Sequence, residues 1–240
     1  MIDAILETKR EEIERLKGRR FPPREKPFIP LAFGDGVNII AELKRRSPSA
    51  GAIAEIDEER IAVYSRHAKG ISVLTDTTYF GGSFELLEEV AGKTCLPILC
   101  KDFIIDEAQI DLACSKGADI VLLIARILDK ERLKTLYLYA RELGLNCLVE
   151  IHRKEEIDRM DGLRPEIIGV NARDLDTLRI DLGSVEEMLS CVDAPMRIAE
   201  SGIKSRRDIE RLGRANGFLI GETLMRAKEP EAVFRELLYV

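Results

Sequence analysis

Eight short apolar runs recur along this chain, and their recurrence limits the fold more than any other feature. They are VNIIAEL from Val37, ISVLT from Ile71, PILCKDF from Pro97, DIVLLIA from Asp119, NCLVEI from Asn146, IIGVN from Ile167, MRIAE from Met196 and GFLIG from Gly217. Each has strand length and is bounded by Gly, Pro, Asp or Asn. Amphipathic stretches separate them. DEERIAVYSRHAKG places Ile61, Tyr64 and Ala68 on one face and stops at Gly70; DEAQIDLACSKGA, LDKERLKTLYLYARELGL and KSRRDIERLGRANG read alike. Asp or Ser near the starts and Gly at the ends are helix caps.

Strands alternating with helices predict parallel βαβ units, and eight such units close into a (β/α)8 TIM barrel of about 250 residues. The chain has 240 residues. An open doubly wound sheet would want a glycine-rich dinucleotide turn after the first run, and none is present. Start-to-start spacing runs from 21 to 34 residues, and the longest unit, the first, carries the loop KRRSPSAGAIAE. Long connections in compact domains are often functional.

Residues 1–36 precede the first run. Ile2, Ile5, Leu6, Ile13 and Leu16 form a helical stripe, followed by a stiff segment with Phe21, Pro22, Pro23, Pro27, Phe28 and Pro30. We expect this arm to cap the barrel of 37–240 within the same domain. Because the core begins at the first run, we expect the arm to matter for turnover more than for folding.

Composition narrows the function. A net charge of −6 argues against nonspecific nucleic-acid binding, which needs a basic field. No apolar run approaches the roughly 18 residues of a membrane span. The N-terminus lacks the apolar core of an export signal, so a cytoplasmic protein is expected. Cys95, Cys100, Cys114, Cys147 and Cys191 form no C-x-x-C pair and read as buried reduced thiols. His67 and His152 show no metal-binding spacing; no metal or cofactor is expected, and His152 reads as a helix-start residue.

Catalytic groups of this fold stand at the C-terminal ends of strands. The first run ends in Glu42 and Lys44, the third in Lys101 and Phe103, and the fifth in Glu150. The sixth ends in Asn171, with Arg173 following, and the seventh in Glu200 and Ser201. Strand alternation puts Glu42 and Lys44 on one face, and Lys101 and Phe103 on another, with Cys100 on the opposite side. A single charge at a strand end can be a simple ion pair. Charges converging from five strands suit acid–base chemistry, because interior ion pairs are poor stabilisers. Ser201-Gly202 after the seventh run and Gly221-Glu222-Thr223 after the eighth fit a phosphate cradle, with Ser47 and Ser49 adding hydroxyls. Glu222 suits that cradle only if its side chain points away.

These motifs resemble the indole-3-glycerol-phosphate synthase family. The resemblance is carried by AELKRRSPSAG (41–51), LTDTTYFGGS (74–83), PILCKDFIID (97–106), ADIVLLIARIL (118–128), LVEIH (148–152), GVNARDLDTL (169–178), AESGI (199–203) and LIGETLMR (219–226). Ala172 and Glu222 depart from residues common in the family. The resemblance implies Lys101 as general acid, Glu150 as catalytic glutamate and Lys44 as the cation for the substrate carboxylate. It adds Glu42, Asn171 and Glu200 to the polar pocket, with Arg173 beside them. It also implies a phosphate cradle of Ser47, Gly202, Gly221 and Glu222, and Phe80 and Phe103 against the anthranilate ring. The implied substrate is a sugar phosphate, 1-(2-carboxyphenylamino)-1-deoxyribulose 5-phosphate, closed to indole-3-glycerol phosphate without a cofactor. A monomer is expected, with weak association with other tryptophan-pathway enzymes as its one partnership. A Schiff-base aldolase-type barrel and a non-catalytic phosphate-binding barrel are the alternatives. Phosphoribosylanthranilate isomerase chemistry would want a Cys/Asp pair, and Cys100 faces away.

Overall fold

The computed structural model describes residues 1–239. In chain order its strands are β1 (Ile39–Leu43), the short pair β2 (Arg46–Ser47) and β3 (Gly51–Ala52), β4 (Gly70–Leu74), β5 (Ile98–Lys101), β6 (Ile120–Ile124), β7 (Asn146–Ile151), β8 (Ile167–Asn171), β9 (Met196–Glu200) and β10 (Gly217–Ile220). β1 and β4 to β10 close in the order β1-β10-β9-β8-β7-β6-β5-β4, every pair parallel. This is the (β/α)8 barrel that the eight runs predict.

Residue alternation divides the core in two. Ile40, Leu99, Ile120, Leu122, Ile124, Leu148, Ile167, Ile198 and Leu219 fill the barrel interior. Their neighbours, among them Ala41, Val73, Cys100, Val121, Val149, Val170 and Ala199, pack outward against the helices. Strands buried on both faces explain why each run is apolar throughout.

The helices are α1 (Ile2–Leu16), α2 (Glu58–His67), α3 (Thr77–Phe80), α4 (Phe84–Lys93), α5 (Glu107–Ser115), α6 (Lys130–Glu142), α7 (Leu182–Leu189), α8 (Arg206–Arg211), α9 (Glu222–Met225) and α10 (Pro230–Leu238). Asp57, Ser83, Asp106, Asp129 and Asp181 each accept a backbone N–H at a helix start. Between β7 and β8 a 3-10 segment, Lys154–Met160, stands where an α-helix would complete the repeat. That connection is short and is closed by Gly162 and Pro165. The long first loop contains the β2–β3 hairpin, with Ser47 opposite Gly51. Cys100 and Cys147 are buried, but Cys95 and Cys191 are exposed, which corrects the reading of all five as interior thiols.

The arm is tied into the barrel at both ends. The buried face of α1 includes Ile5, Ile13 and, unforeseen from the apolar stripe, Lys9, which is 1% exposed. Its ammonium lies 2.8 Å from Asp102 Oδ1 and 3.0 Å from Asp76 Oδ2, at the C-terminal ends of β5 and β4. Burial alone would lower the Lys9 pKa, but Asp102 and Asp76 outweigh it and hold it above the ordinary range. Asp76 also caps α3. Further along, Arg24 and the Ile29 N–H both bond Asp119 Oδ1, at 2.6 and 2.9 Å. At the same N-terminal end of the strands, Leu31 packs on Gly70 and Phe33 on Gly217.

The arm is therefore packed into the buried core, and how much folding depends on it is open to direct test. Lys9→Ala leaves Asp76 and Asp102 buried without their cation, and one-sided loss of a buried ion pair costs about 3–5 kcal/mol. Urea unfolding is expected to show a loss of that size. An unchanged midpoint and slope would place the arm outside the cooperative unit.

Candidate active site

Successive inward positions place polar side chains above the apolar interior of the barrel. On β1 the inward residues are Ile40, then Glu42, with Lys44 just beyond; on β5 they are Leu99 and Lys101, then Phe103. On β7 Leu148 is followed by Glu150 and His152, on β8 Ile167 by Gly169 and Asn171, and on β9 Ile198 by Glu200. A cavity of about 470 Å³ opens at these C-terminal ends. Its lining includes Glu42, Lys44, Lys101, Glu150, Asn171 and Glu200.

Lys101 forms its centre. The ammonium lies 2.6 Å from Glu150 Oε2 and 3.0 Å from Glu200 Oε2. Burial disfavours its charge, but Glu150, Glu200 and, at longer range, Glu42 outweigh that and hold the pKa above the lysine range. The two carboxyls respond in opposite directions. Burial raises both; Lys101 and His152 draw Glu150 well below the ordinary carboxylate range. Glu200 stays well above it, because burial and the charge of Glu150 together exceed the pull of Lys101. The two carboxyls around one ammonium are thus driven in opposite directions, and a pair driven apart in this way separates a base from an acid. Beside it, Lys44 Nζ lies 2.6 Å from Glu42 Oε1 at the more open side of the cavity.

Two glycines make this arrangement possible. A Cβ on Gly169 would overlap Glu200 Oε1 and approach Leu148 Cδ2 to 2.9 Å. A Cβ on Gly221 would overlap Glu42 Oε1 and come within 3.0 Å of Lys44 Nζ. Gly221 has φ −113°, so close approach rather than backbone conformation requires the glycine.

The cavity is chemically polarised. Phe80 and Phe103, with ring centroids 6.0 Å apart, line it together with Leu122 and Ile124. Ser201, Gly202, Gly221 and Glu222 also line it, with Arg173, Lys204 and Arg226 adding positive charge. Ser201 at φ +66° and Gly202 at φ +76° turn the chain at the end of β9. Ser201 holds a left-handed conformation unusual for a residue with a side chain, the kind of local strain that clusters at functional sites. Glu222 turns its carboxylate to Arg226, 3.0 Å away.

Of the residues singled out from sequence for the site, all but Ser47 and Ser49 line this cavity. The Ser47 hydroxyl accepts the Ala50 N–H at 3.2 Å and faces Ser49 Oγ at 3.4 Å within its own turn. That turn reaches the site through Ser49, which accepts from Arg173 at 2.9 Å. The Arg173 N–H in turn donates to Asn171 Oδ1 at 3.0 Å. Sequence reading missed Lys204, Arg226, Leu175, Ile180 and Gly169. The first four lie in connections whose path a linear pattern leaves open; Gly169 gave the signal of a glycine inside a strand. His152 precedes the 3-10 segment, in keeping with its reading as a helix-start residue, and its side chain is in addition buried against Glu150.

Gly169→Ala is expected to lower kcat more than it raises KM, because it displaces Glu200 rather than a cavity wall; equal activity would show that Glu200 Oε1 can move without consequence. A Gly221→Asp change, which from sequence alone would be a pure binding defect, is expected to lower kcat as well by striking the Glu42–Lys44 pair. Glu200→Gln tests the proton assignment. A carboxyl raised on folding contributes stability below its unfolded pKa and loses it as pH rises. Glu200→Gln is therefore expected to unfold at a higher temperature than the native chain at pH 8, with the difference shrinking toward pH 5. A lower unfolding temperature at pH 8 would show Glu200 to be ionised.

Comparison with known proteins agrees with this geometry. The family profile described as indole-3-glycerol phosphate synthase matches residues 3–237. The indole-3-glycerol phosphate synthase of Exiguobacterium sibiricum is 42% identical, over 96% of this chain and 93% of its own. That of Halalkalibacterium halodurans is 42% identical over 99% and 96%, and that of Staphylococcus haemolyticus 41% identical over 92% and 87%. Among solved structures, the fold is shared with thiamine phosphate pyrophosphorylase from Pyrococcus furiosus (TM-score 0.62, 15% identity, 83% of this chain and 93% of that one). It is likewise shared with a 3-hexulose-6-phosphate synthase (TM-score 0.61, 14% identity, 84% and 97%). With a matching profile over nearly its whole length and relatives near two-fifths identity, the chain belongs to the indole-3-glycerol phosphate synthase family.

Proposed function

We propose that this chain closes, decarboxylates and dehydrates 1-(2-carboxyphenylamino)-1-deoxyribulose 5-phosphate to indole-3-glycerol phosphate. The observation that carries the reading is a buried ammonium held between two carboxyls, in a cavity with an aromatic wall and a cationic, glycine-rich rim. The substrate has the same polarity, with an aromatic acid at one end and a phosphate at the other.

Each step asks for a group that the cavity holds. Lys44, on the open side, pins the anthranilate carboxylate and brings the ring carbon against the ribulose carbonyl. Holding that bent conformation is an orientation effect, which can lower a barrier by about 7–11 kcal/mol at best. Lys101 is cationic at neutral pH and protonates the carbonyl oxygen as the carbon–carbon bond forms. Its raised pKa means that it releases a proton only to a strongly basic oxygen, as an oxygen taking on negative charge becomes. Carbon dioxide then leaves from the carbon bearing the carboxylate. Ionised Glu150 takes the proton whose loss restores the aromatic ring, and protonated Glu200 lies within reach of the departing hydroxyl. Phe80 and Phe103 flank the ring, Asn171 and Arg173 face the sugar, and Ser201, Gly202, Gly221 and Glu222 receive the phosphate. No electron-sink cofactor enters, since protonation of the intermediate serves that purpose. The same reading has the enzyme working as a cytoplasmic monomer, and no helix among the described residues is long and apolar enough to cross a membrane.

A Schiff-base aldolase needs a lysine that gives up its proton and attacks as the free amine. Lys101, held cationic by Glu150 and Glu200, is poorly suited to that role.

The test is incubation with the carboxyphenylamino substrate while indole fluorescence is followed. Fluorescence is expected from the native chain. Lys101→Ala is expected to lower kcat by about 10²–10⁴ with KM little changed, the usual cost of losing a general acid. Lys44→Ala is expected to raise KM and lower kcat, with Arg at 44 restoring part of the binding because a guanidinium also holds a carboxylate. Arg at 101 is expected to restore nothing, since it releases no proton near neutral pH. Rescue by Arg at 101 would reverse the two assignments, and borohydride trapping of substrate on Lys101 would favour the aldolase.

A further inference from the structure

His152 is buried beside the site yet lies outside the cavity lining. Its Nε2 approaches Glu150 Oε1 to 3.1 Å, on the side of the carboxylate away from Lys101. Neither ring nitrogen makes a well-directed hydrogen bond, although both are shielded from solvent. Contacts of catalytic groups are often misdirected before substrate binds and tighten afterwards. The residue itself is held from behind. Its backbone N–H donates to Glu156 Oε2 at 2.7 Å, and Nδ1 lies 3.9 Å from the same oxygen. Glu156 is buried in turn and faces Arg126, 3.6 Å away, which also pairs with Asp176 beyond β8.

The geometry points to His152 as a positioning residue: its Nε2–H holds Glu150 Oε1 so that Oε2 stays on Lys101, while Glu156, facing Arg126, anchors the His152 backbone. This rests on the assignment of Glu150 as the base. A carboxylate on a flexible glutamate has several rotamers, and one charged partner fixes only one of its oxygens. A second donor on the other oxygen sets the plane of the group and keeps Glu150 ionised and aimed at the axis. The groups facing this pair are Lys101 from β5, Glu200 from β9 and Glu42 from β1, with Glu156, Arg126, Arg159 and Asp176 behind His152 and Asp3 across from them on α1.

Removing the donor relieves part of what holds Glu150 low, so its ionisation moves to higher pH. His152→Ala is therefore expected to lower kcat by about 10- to 100-fold, the worth of one hydrogen bond to a charged group. KM is expected to stay the same, and the acid limb of the kcat–pH profile to move upward. His152→Gln, whose amide nitrogen reaches the position of Nε2, is expected to recover most of the rate and return the limb toward its native position. Ala and Gln variants with equal kcat and equal pH profiles would overturn the proposal, as would an altered unfolding temperature with native kcat. Glu150→Gln separates the two readings. If it is inactive while His152→Ala keeps full rate, the positioning role falls and the base stands. If Glu150→Gln keeps full rate, the base assignment falls and the positioning role with it.

Discussion

A lysine ammonium in a barrel interior is tolerated only if its charge is balanced and its hydrogens are used. Lys101 meets that condition with Glu150 and Glu200, and much of the surrounding structure follows from it. The three residues come from β5, β7 and β9, so each strand must present the right residue inward at the same height. A slip of one residue on any strand would put its charge among the helices. The apolar layer beneath supplies a dry floor, which strengthens every interaction above it. Burial raises the Glu200 carboxyl while Lys101 and His152 pull Glu150 down, so the charges that stabilise the site also set its two carboxyls apart.

Space is the second constraint. A β-barrel of eight strands is filled by side chains, and a cluster of long polar groups fits only where neighbours are removed. Gly169 and Gly221 provide that room, one under Glu200 and one against the Glu42–Lys44 pair. Gly221 therefore has two duties, since the same residue opens the turn that the phosphate reading assigns to the rim. On the proposed function, binding and chemistry meet at that position.

The arm joins the aromatic wall to the rest of the molecule. Lys9 neutralises Asp76, which caps the short helix carrying Phe80, and Asp102, which accepts the Phe103 N–H at 2.7 Å. One buried cation thus ties together both rings that line the apolar side of the cavity. α1 and the aromatic wall are one unit electrostatically, although they are distant in sequence.

The eight-strand barrel was legible in the sequence because parallel strands buried on two faces must be apolar along their whole length, and such runs stand out between amphipathic helices. Glu42, Lys101, Glu150 and Glu200 were legible because a charge that ends an apolar run is costly unless something opposes it. Local pattern could not say what opposes it. That Lys101 faces Glu150 and Glu200 depends on barrel closure, which brings together residues 49 and 99 positions apart in the site, and that Lys9 faces Asp76 and Asp102 depends on the arm folding back onto the barrel. Ser47, read as a cradle residue from its neighbours in sequence, is held within its own turn by the Ala50 N–H. The reason for a glycine at 169 inside a strand, the carboxylate of Glu200 in the space it leaves, comes from across the barrel. Linear order decides which residues can be buried; only closure of the sheet decides which buried charges meet, because a charge pair is set by distance across the axis and not by position along the chain.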